Sequence, residues 1–324
     1  MIKSVVRVLL GFVILLGIVF ALGPRVSREI SIESLVLPKN LDAYLAESES
    51  RYTDIVDNAQ KEIVWFEEVG HQTEYSIVYL HGFSATRQEV APVSEEVAQS
   101  IGANVFYARF AGHGRTSVDA MLEASVGAWA NDVHEALEIG KRIGKKVIVI
   151  ATSSGATSLM TVLDLGEYDL HALILLSPNF VPADSRAAIL TWPWGIRIAE
   201  LIQGKEFTWK SEPLSEEHRK YWTQRMPTSA LAPMAAMVSL ANTVDFSRIQ
   251  IPVCILLSAD DQLVDQTKTI EIFESLGSEE LNQMILIQDP GSPSSHLVAG
   301  NILAPKKTSL VVESILSFLS EKGL

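Results

Sequence analysis

Short apolar runs alternating with amphipathic helical patterns predict an α/β protein: a mostly parallel sheet with helices on both faces. The runs at residues 76–80, 104–110, 146–151, 172–177, 253–257 and 284–287 are apolar with little alternation, as strands covered on both faces should be. Between and after them, Val126, Trp129, Val133, Leu137 and Ile143, then Val312, Ile315, Leu316 and Leu319, recur at three- and four-residue steps. Apolar residues make up 48% and charged residues 20% of the 324, a balance that forms a core and excludes long disorder or collagen-like structure.

The first element stands apart from that core. Residues 4–23 carry one charge, Arg7, and as a helix would rise roughly 30 Å, the thickness of a bilayer's hydrocarbon core. Residues 1–23 are therefore expected to be a transmembrane anchor or signal segment. Lys3, Arg7 and the amino terminus favour a cytoplasmic N-terminus, with the rest of the chain outside the cytoplasm, although Arg25 and Arg28 weaken that orientation. A cleaved signal releasing a secreted protein is the alternative. Ala21 and Gly23 supply small residues for it, but Pro24 would follow the cut. A buried core helix is the third reading of the same stretch.

Residues 24–58 read as a connector with one short helix, marked by Leu41, Tyr44 and Leu45. Residues 59–324 form the main body. Its first strand, after Glu62, alternates more than the others and is expected towards a sheet edge. Residues 183–247 interrupt the rhythm with no clear strand, yet hold Trp192, Trp194, Trp209, Trp222, Met226, Met234 and Met237. This insertion is read both as a compact helical subdomain with its own core and as a lid whose apolar underside lines a cavity.

Charge and cysteine content narrow the function. A net charge of −13 argues against nucleic acid as a partner. The single cysteine, Cys254, excludes a disulfide framework or a CxxC site, and its apolar run marks it as a buried thiol. No HExxH or other metal-ligand spacing occurs among the seven histidines, so neither a metal nor a cofactor is expected.

Chemistry concentrates where the run 146–151 meets Thr152-Ser153-Ser154-Gly155-Ala156 and a helix begins. A serine on a sharp strand-to-helix turn needs small residues two positions before and after it. Ser153 has Ala151 and Gly155, whereas Ser154 would have the β-branched Thr152, so Ser153 is the better nucleophile. The first turn of the helix offers unpaired N–H groups, that of Ser154 among them, to a developing oxyanion. Tyr79-Leu80-His81-Gly82-Phe83 ends another strand, and Gly82 would let the Phe83 N–H reach the same point. A base and an orienting carboxylate are expected on loops past later strands. Asp260 and Asp261 follow 253–257; His296 follows 284–287 and is the one histidine after those acids. His113, in Gly112-His113-Gly114-Arg115, also follows a strand but precedes the serine. His71, His134, His171 and His218 fall in turns, helices or the insertion.

His81-Gly82-Phe83, Ala151-Thr152-Ser153-Ser154-Gly155, Asp261 and His296 together resemble the α/β-hydrolase superfamily, over roughly Glu62 to the C-terminus. The resemblance is to its lysophospholipase, monoacylglycerol-lipase and serine-aminopeptidase-like branch, in which Gly112-His113-Gly114-Arg115 resembles a recurrent loop. It implies an α/β-hydrolase fold with an inserted helical cap. In the family's G-x-x-D-x-x-V turn Ser258 replaces the glycine while Asp261 and Val264 keep the register, so the resemblance favours Asp261 over Asp260. It implies a serine esterase, lipase-like, acting on a small-molecule ester or lipid with hydrophobic acyl chains through Ser153, His296 and Asp261, with the Phe83 and Ser154 N–H groups as oxyanion hole. Aminopeptidase-type activity would need an amine anchor, for which Glu200, Glu206 and Glu216 are candidates. Acyl transfer to another acceptor uses the same residues, and an inactive ligand-binding protein on this fold is the reading from another class.

Overall fold

A computed structural model describes residues 2–323, with side chains from Val5 onward. In chain order the elements are α1 (Ile2–Ala21), α2 (Leu41–Glu49), β1 (Glu62–Val64), β2 (Thr73–Leu80), α3 (Val93–Ile101), β3 (Asn104–Tyr107), α4 (Val126–Ile143), β4 (Gly144–Thr152), α5 (Ser154–Leu165) and β5 (Ala172–Leu176). There follow α6 (Gly195–Gln203), β6 (Glu206–Thr208), α7 (Glu216–Tyr221), β7 (Arg225–Pro227), α8 (Leu231–Ala241), β8 (Val253–Leu257), α9 (Gln266–Ser275), β9 (Gln283–Leu286) and α10 (Thr308–Glu321).

Seven strands form one sheet in the order β1-β3-β2-β4-β5-β8-β9. β1 runs antiparallel to β3 at the edge, and every other pairing is parallel. Alternate residues of the central strands enter two separate cores, which is why their sequences show unbroken apolar runs. Val78, Val149, Leu173 and Ile255 face α4, α5 and α8, meeting Val133, Leu137, Leu159 and Met237. Ile77, Ile148, Ile174 and Cys254 face α3 and α10, meeting Val97, Val311, Ile315 and Phe318. Ser125 caps α4 by accepting the Ala128 N–H at 3.0 Å, and Val126, Trp129, Val133, Leu137 and Ile143 are all buried. This is the α/β-hydrolase architecture, with a helical segment inserted between β5 and β8.

That segment differs in detail from the sequence reading. It holds a two-stranded antiparallel sheet, β6 with β7, whose three-residue strands are too short to register as a pattern. Its own core is built from Leu190, Met226, Ala230, Leu231, Ala232 and Ala235 with Met121, and contains none of the four tryptophans. Trp192 and Trp194 are exposed. α8 also packs on α5, placing Ala236 and Met237 in the main core.

The chain before β1 is fastened to the body. Residues 24–40 run along α4 as an extended strap. Asn131 accepts the Glu33 N–H at 2.8 Å and donates to the Ser31 carbonyl at 2.9 Å, and Arg142 donates to the carbonyls of Leu37 and Pro38. α2 buries Leu41 and Leu45 and ends at Glu49, whose carboxylate takes two hydrogen bonds, 2.8 and 2.9 Å, from the buried Arg109 guanidinium. Lys61 pairs with Glu135 and, at 3.6 Å, with Asp132. Burial pushes the Asp132 carboxyl up to about 6 despite that cation.

The expected membrane arrangement is corrected here. Among the described residues no helix is long and apolar enough to cross a membrane. α1 stops at Ala21, and past Arg7 its uncharged stretch, residues 8–21, rises only about 21 Å against the ~30 Å hydrocarbon core. The single-pass placement, with a cytoplasmic N-terminus and the catalytic domain outside the cytoplasm, rested on that span and falls with it. The end of α1 instead meets the insertion, where the Trp194 indole N–H donates to the Val19 carbonyl at 3.1 Å and the Trp194 backbone N–H to the Pro24 carbonyl at 2.8 Å.

Removing one member of the Glu49–Arg109 pair leaves a buried charge uncompensated. Glu49→Ala should therefore lower stability by about 3–5 kcal/mol, read as an earlier midpoint of urea unfolding at unchanged slope. A midpoint within error of the parent would mean the pair does not hold α2 to the sheet.

Candidate active site

β4 runs straight into α5 through a single residue in a strained conformation. Ser153 has φ 50° and ψ −115°, a region that costs an ordinary residue about 1–3 kcal/mol. The turn is held on both sides. The Ser153 N–H donates to the Leu176 carbonyl at 2.9 Å, and the Ser153 carbonyl accepts from Asn179, Ala156 and Thr157. Gly155 explains the small residue two positions on, because a Cβ there would overlap the Leu80 carbonyl oxygen and sit 2.7 Å from that of His81. Ala151, two positions before, is fully buried.

The end of β2 closes against this turn. A Cβ on Gly82 would lie 3.2 Å from Ser153 Cβ and 3.0 Å from Glu89 Oε2, so any other residue would have to push its neighbours back by a few tenths of an ångström. Its shape is fixed from two directions. His81 Nδ1 donates to the Gly82 carbonyl at 2.8 Å while Nε2 accepts the Phe110 N–H at 3.1 Å, an arrangement for neutral imidazole. Burial pushes the His81 pKa down to about 4, in keeping with that state. The Gly82 N–H donates to Glu89 Oε1 at 2.5 Å. The N–H groups of Phe83 and Ser154 have no intramolecular partner among the described residues, and both belong to residues adjoining the Gly82–Ser153 contact. The Phe83 ring packs on His113 and Trp129, with ring centres 5.7 and 6.2 Å away, and touches the core of the insertion. His113 is held well below its ordinary pKa by burial and lies in this aromatic cluster, its Nδ1 3.2 Å from the Ala111 carbonyl.

The two acidic candidates separate cleanly. Asp261 Oδ2 lies 2.7 Å from His296 Nδ1 and also accepts from Gln266 Nε2 at 2.8 Å, while Oδ1 accepts the N–H groups of Leu263 and Val264 at 2.8 and 3.1 Å. Its side chain is fully buried. Asp260 is exposed. His296 is brought towards Ser153 through consecutive residues: Leu176 accepts from the Ser153 N–H, and the Ser177 hydroxyl donates to the His296 carbonyl at 2.5 Å. No hydrogen bond joins Ser153 Oγ to His296 among the described residues; such contacts commonly tighten only with substrate bound.

Three residues of this site carry no signal in the sequence: Glu89 and Gln266, which reach inward from polar stretches, and Ser177, which directly follows β5. The remaining candidates lie elsewhere. Glu206 pairs with Arg225 at 2.7 Å, Glu200 with Arg197 at 3.3 Å, and Glu216 stands in solvent 3.8 Å from Arg219. His134 bonds to the Tyr168 hydroxyl, and His218 caps its own turn of the insertion. Cys254 is buried, which pushes its thiol up to about 12. No group of three or more histidine, cysteine or acidic side chains that could hold a metal ion occurs among the described residues.

Solved structures share this fold. A metagenome-derived lipolytic enzyme of the LipS and LipT pair superposes with a TM-score of 0.64 at 16% identity, over 82% of this chain and 99% of its own. The monoacylglycerol lipase of Paleococcus ferrophilus gives 0.57 at 13%, over 80% and 98%. A soluble variant of monoglyceride lipase from Saccharomyces cerevisiae gives 0.54 at 11%, over 81% and 91%. No curated protein sequence matches the chain. Residues 71–288 match the family model for serine aminopeptidase, S33. The chain therefore belongs to the serine aminopeptidase, S33, family.

Proposed function

We propose that the protein is a serine hydrolase that cleaves carboxylic esters with hydrophobic acyl chains. The observation that carries this is the buried Asp261–His296 pair, 2.7 Å apart, anchored beside a serine held at φ 50° on a strand–helix turn. In this reading Ser153 Oγ attacks the ester carbonyl as His296 takes its proton. Asp261 holds the imidazole with its Nδ1–H towards the carboxylate and stabilises its charged form. The N–H groups of Phe83 and Ser154 receive the oxyanion, each worth about 3 kcal/mol in systems of this kind. His296 then protonates the leaving alcohol, giving an acyl-Ser153 ester. Water, losing its proton to the same histidine, releases the acid and restores the serine.

Two further points favour esters over peptides. The insertion sets an apolar core of Met226, Leu231 and Ala235 against Phe83, next to the reacting serine, which suits a hydrocarbon chain. Glu200, Glu206 and Glu216, the candidates for holding a free amine, are each turned to an arginine instead. The structural relatives named as lipases support the same choice. Acyl transfer to an alcohol would use the same residues, and product analysis with and without an added alcohol separates it from hydrolysis.

Ser153→Ala should abolish fluorophosphonate labelling and reduce kcat by about 10⁴-fold or more, with the fold kept by circular dichroism. Labelling that survives the substitution would place the nucleophile elsewhere, and absence of labelling in well-folded parent protein would favour a ligand-binding role. Asp261→Asn should lose far more activity than Asp260→Asn; the reverse order would move the acid. On a panel of p-nitrophenyl esters, kcat/KM should rise with acyl length beyond acetate. A flat or falling series would remove the apolar-chain assignment.

A further inference from the structure

One buried carboxyl group beside Ser153 has no part in the mechanism above. Glu89, on the short turn 87–89, is 2% exposed. Its Oε1 accepts two hydrogen bonds, from the Gly82 N–H at 2.5 Å and from the Tyr79 hydroxyl at 2.8 Å. The Tyr79 hydroxyl is also 3.0 Å from Thr152 Oγ1, the residue before the strained serine. Oε2 lies against Gly82 on the Ser153 side, since Oε2 and Ser153 Cβ are 3.0 and 3.2 Å from one point, the place a Gly82 Cβ would occupy. The backbone of the same segment meets the loop beyond His296. Gly300, at φ 109°, leaves no room for a Cβ against the Glu89 carbonyl, and the Asn301 N–H donates to the Ala91 carbonyl at 2.9 Å. Glu89 thus sits where the oxyanion loop, the serine strand and the histidine loop come together.

We propose that Glu89 is a positioning residue for the oxyanion hole: its Oε1 fixes the peptide of Gly82 so that the next N–H, that of Phe83, points at the developing oxyanion, and the residue works in its neutral form. The inference rests on the serine-hydrolase reading of the site. Oε1 is committed to accepting two donors, so the carboxylic proton belongs on Oε2. Ionisation would put a negative charge beside a second negative charge forming on the substrate oxygen, at a buried position where screening is weaker than in bulk water. Burial supports the neutral form, raising the Glu89 carboxyl to about 7. The titratable groups that face it are Tyr79 from β2, with Tyr107 behind that ring, and His296 from the loop after β9. Arg87, on the same turn, reaches away to Glu62 at 2.5 Å. The sign follows: Glu89 is protonated below about pH 7 and loses its proton above it, so its contribution to the rate falls on the alkaline side.

Glu89→Gln copies the neutral acid, with an amide oxygen for the two donors and an NH2 in place of the O–H. It should keep kcat at pH 6.5 within about threefold and lose the fall in kcat expected of the parent above neutral pH. Glu89→Leu removes the acceptor and should lower kcat by about 10- to 100-fold with little change in KM, because a misdirected donor acts on the transition state. A second readout needs no turnover. In protein labelled with 15N-glycine, the Gly82 amide proton should resonate far downfield, titrate near pH 7, and stop titrating in Glu89→Gln. An unchanged alkaline limb in Glu89→Gln, or a Gly82 amide that ignores both pH and the substitution, would overturn the proposal. A titrating Gly82 amide in a protein without esterase activity would overturn the ester reading and leave the Glu89–Gly82 link standing. If Glu89→Leu does not fold, the glutamine variant alone decides.

Discussion

The first turn of α5 is pressed against the end of β2, and the rest of the site follows from that closeness. With glycine at 155 the turn reaches the carbonyls of Leu80 and His81, and with glycine at 82 the β2 loop reaches Ser153 in return. A Cβ at 155 would overlap backbone, and one at 82 would crowd Glu89 and Ser153. Between them the backbone of Ser153 is driven to φ 50°, a conformation held by hydrogen bonds to Leu176 and Asn179 on the neighbouring strand end. The strain is local, and the sheet around it absorbs the cost: β2, β4 and β5 are buried on both faces at this level and cannot move apart without opening two cores at once.

The polar groups near Ser153 are kept in order by hydrogen bonds that run from strand to strand. Neutral His81 ties β2 to the segment after β3, Tyr79 ties it to β4, and Ser177 ties the end of β5 to His296. Each of these side chains is buried and each has a defined partner, which is what makes such groups tolerable inside a core. The chemistry of the site thus depends on residues whose own role is to hold a loop at a fixed angle.

How much of this could be read in the sequence depended on whether a residue's neighbours in space were also its neighbours in the chain. Strands buried on both faces announce themselves as apolar runs, and α4 through its heptad-like spacing, so the sheet was legible. Ser153 and Asp261 stand within a few residues of a strand's end and His296 on the longer loop after β9, where loops carry chemistry, and Asp261 and His296 meet at 2.7 Å. Glu89 and Gln266 gave no signal, because their partners Gly82 and Asp261 are met through turns that no periodicity describes. β6 and β7 were missed for want of length. The N-terminal helix misled for the opposite reason: hydropathy was counted through Arg7 and beyond Ala21, and the helix ends sooner than the apolar letters do.

The strap along α4 carries a consequence for the order in which the chain can assemble. Ser31 bonds to Asn131 and Leu37 to Arg142, contacts separated by 100 and 105 residues. On the ribosome, about 100 residues take roughly 5–20 s to follow. During that interval Ile30, Ile32 and Leu37 have been made, but the helix the strap bonds to has not. The strap therefore waits for α4 before it can find its place, and its docking closes a loop of about 100 residues.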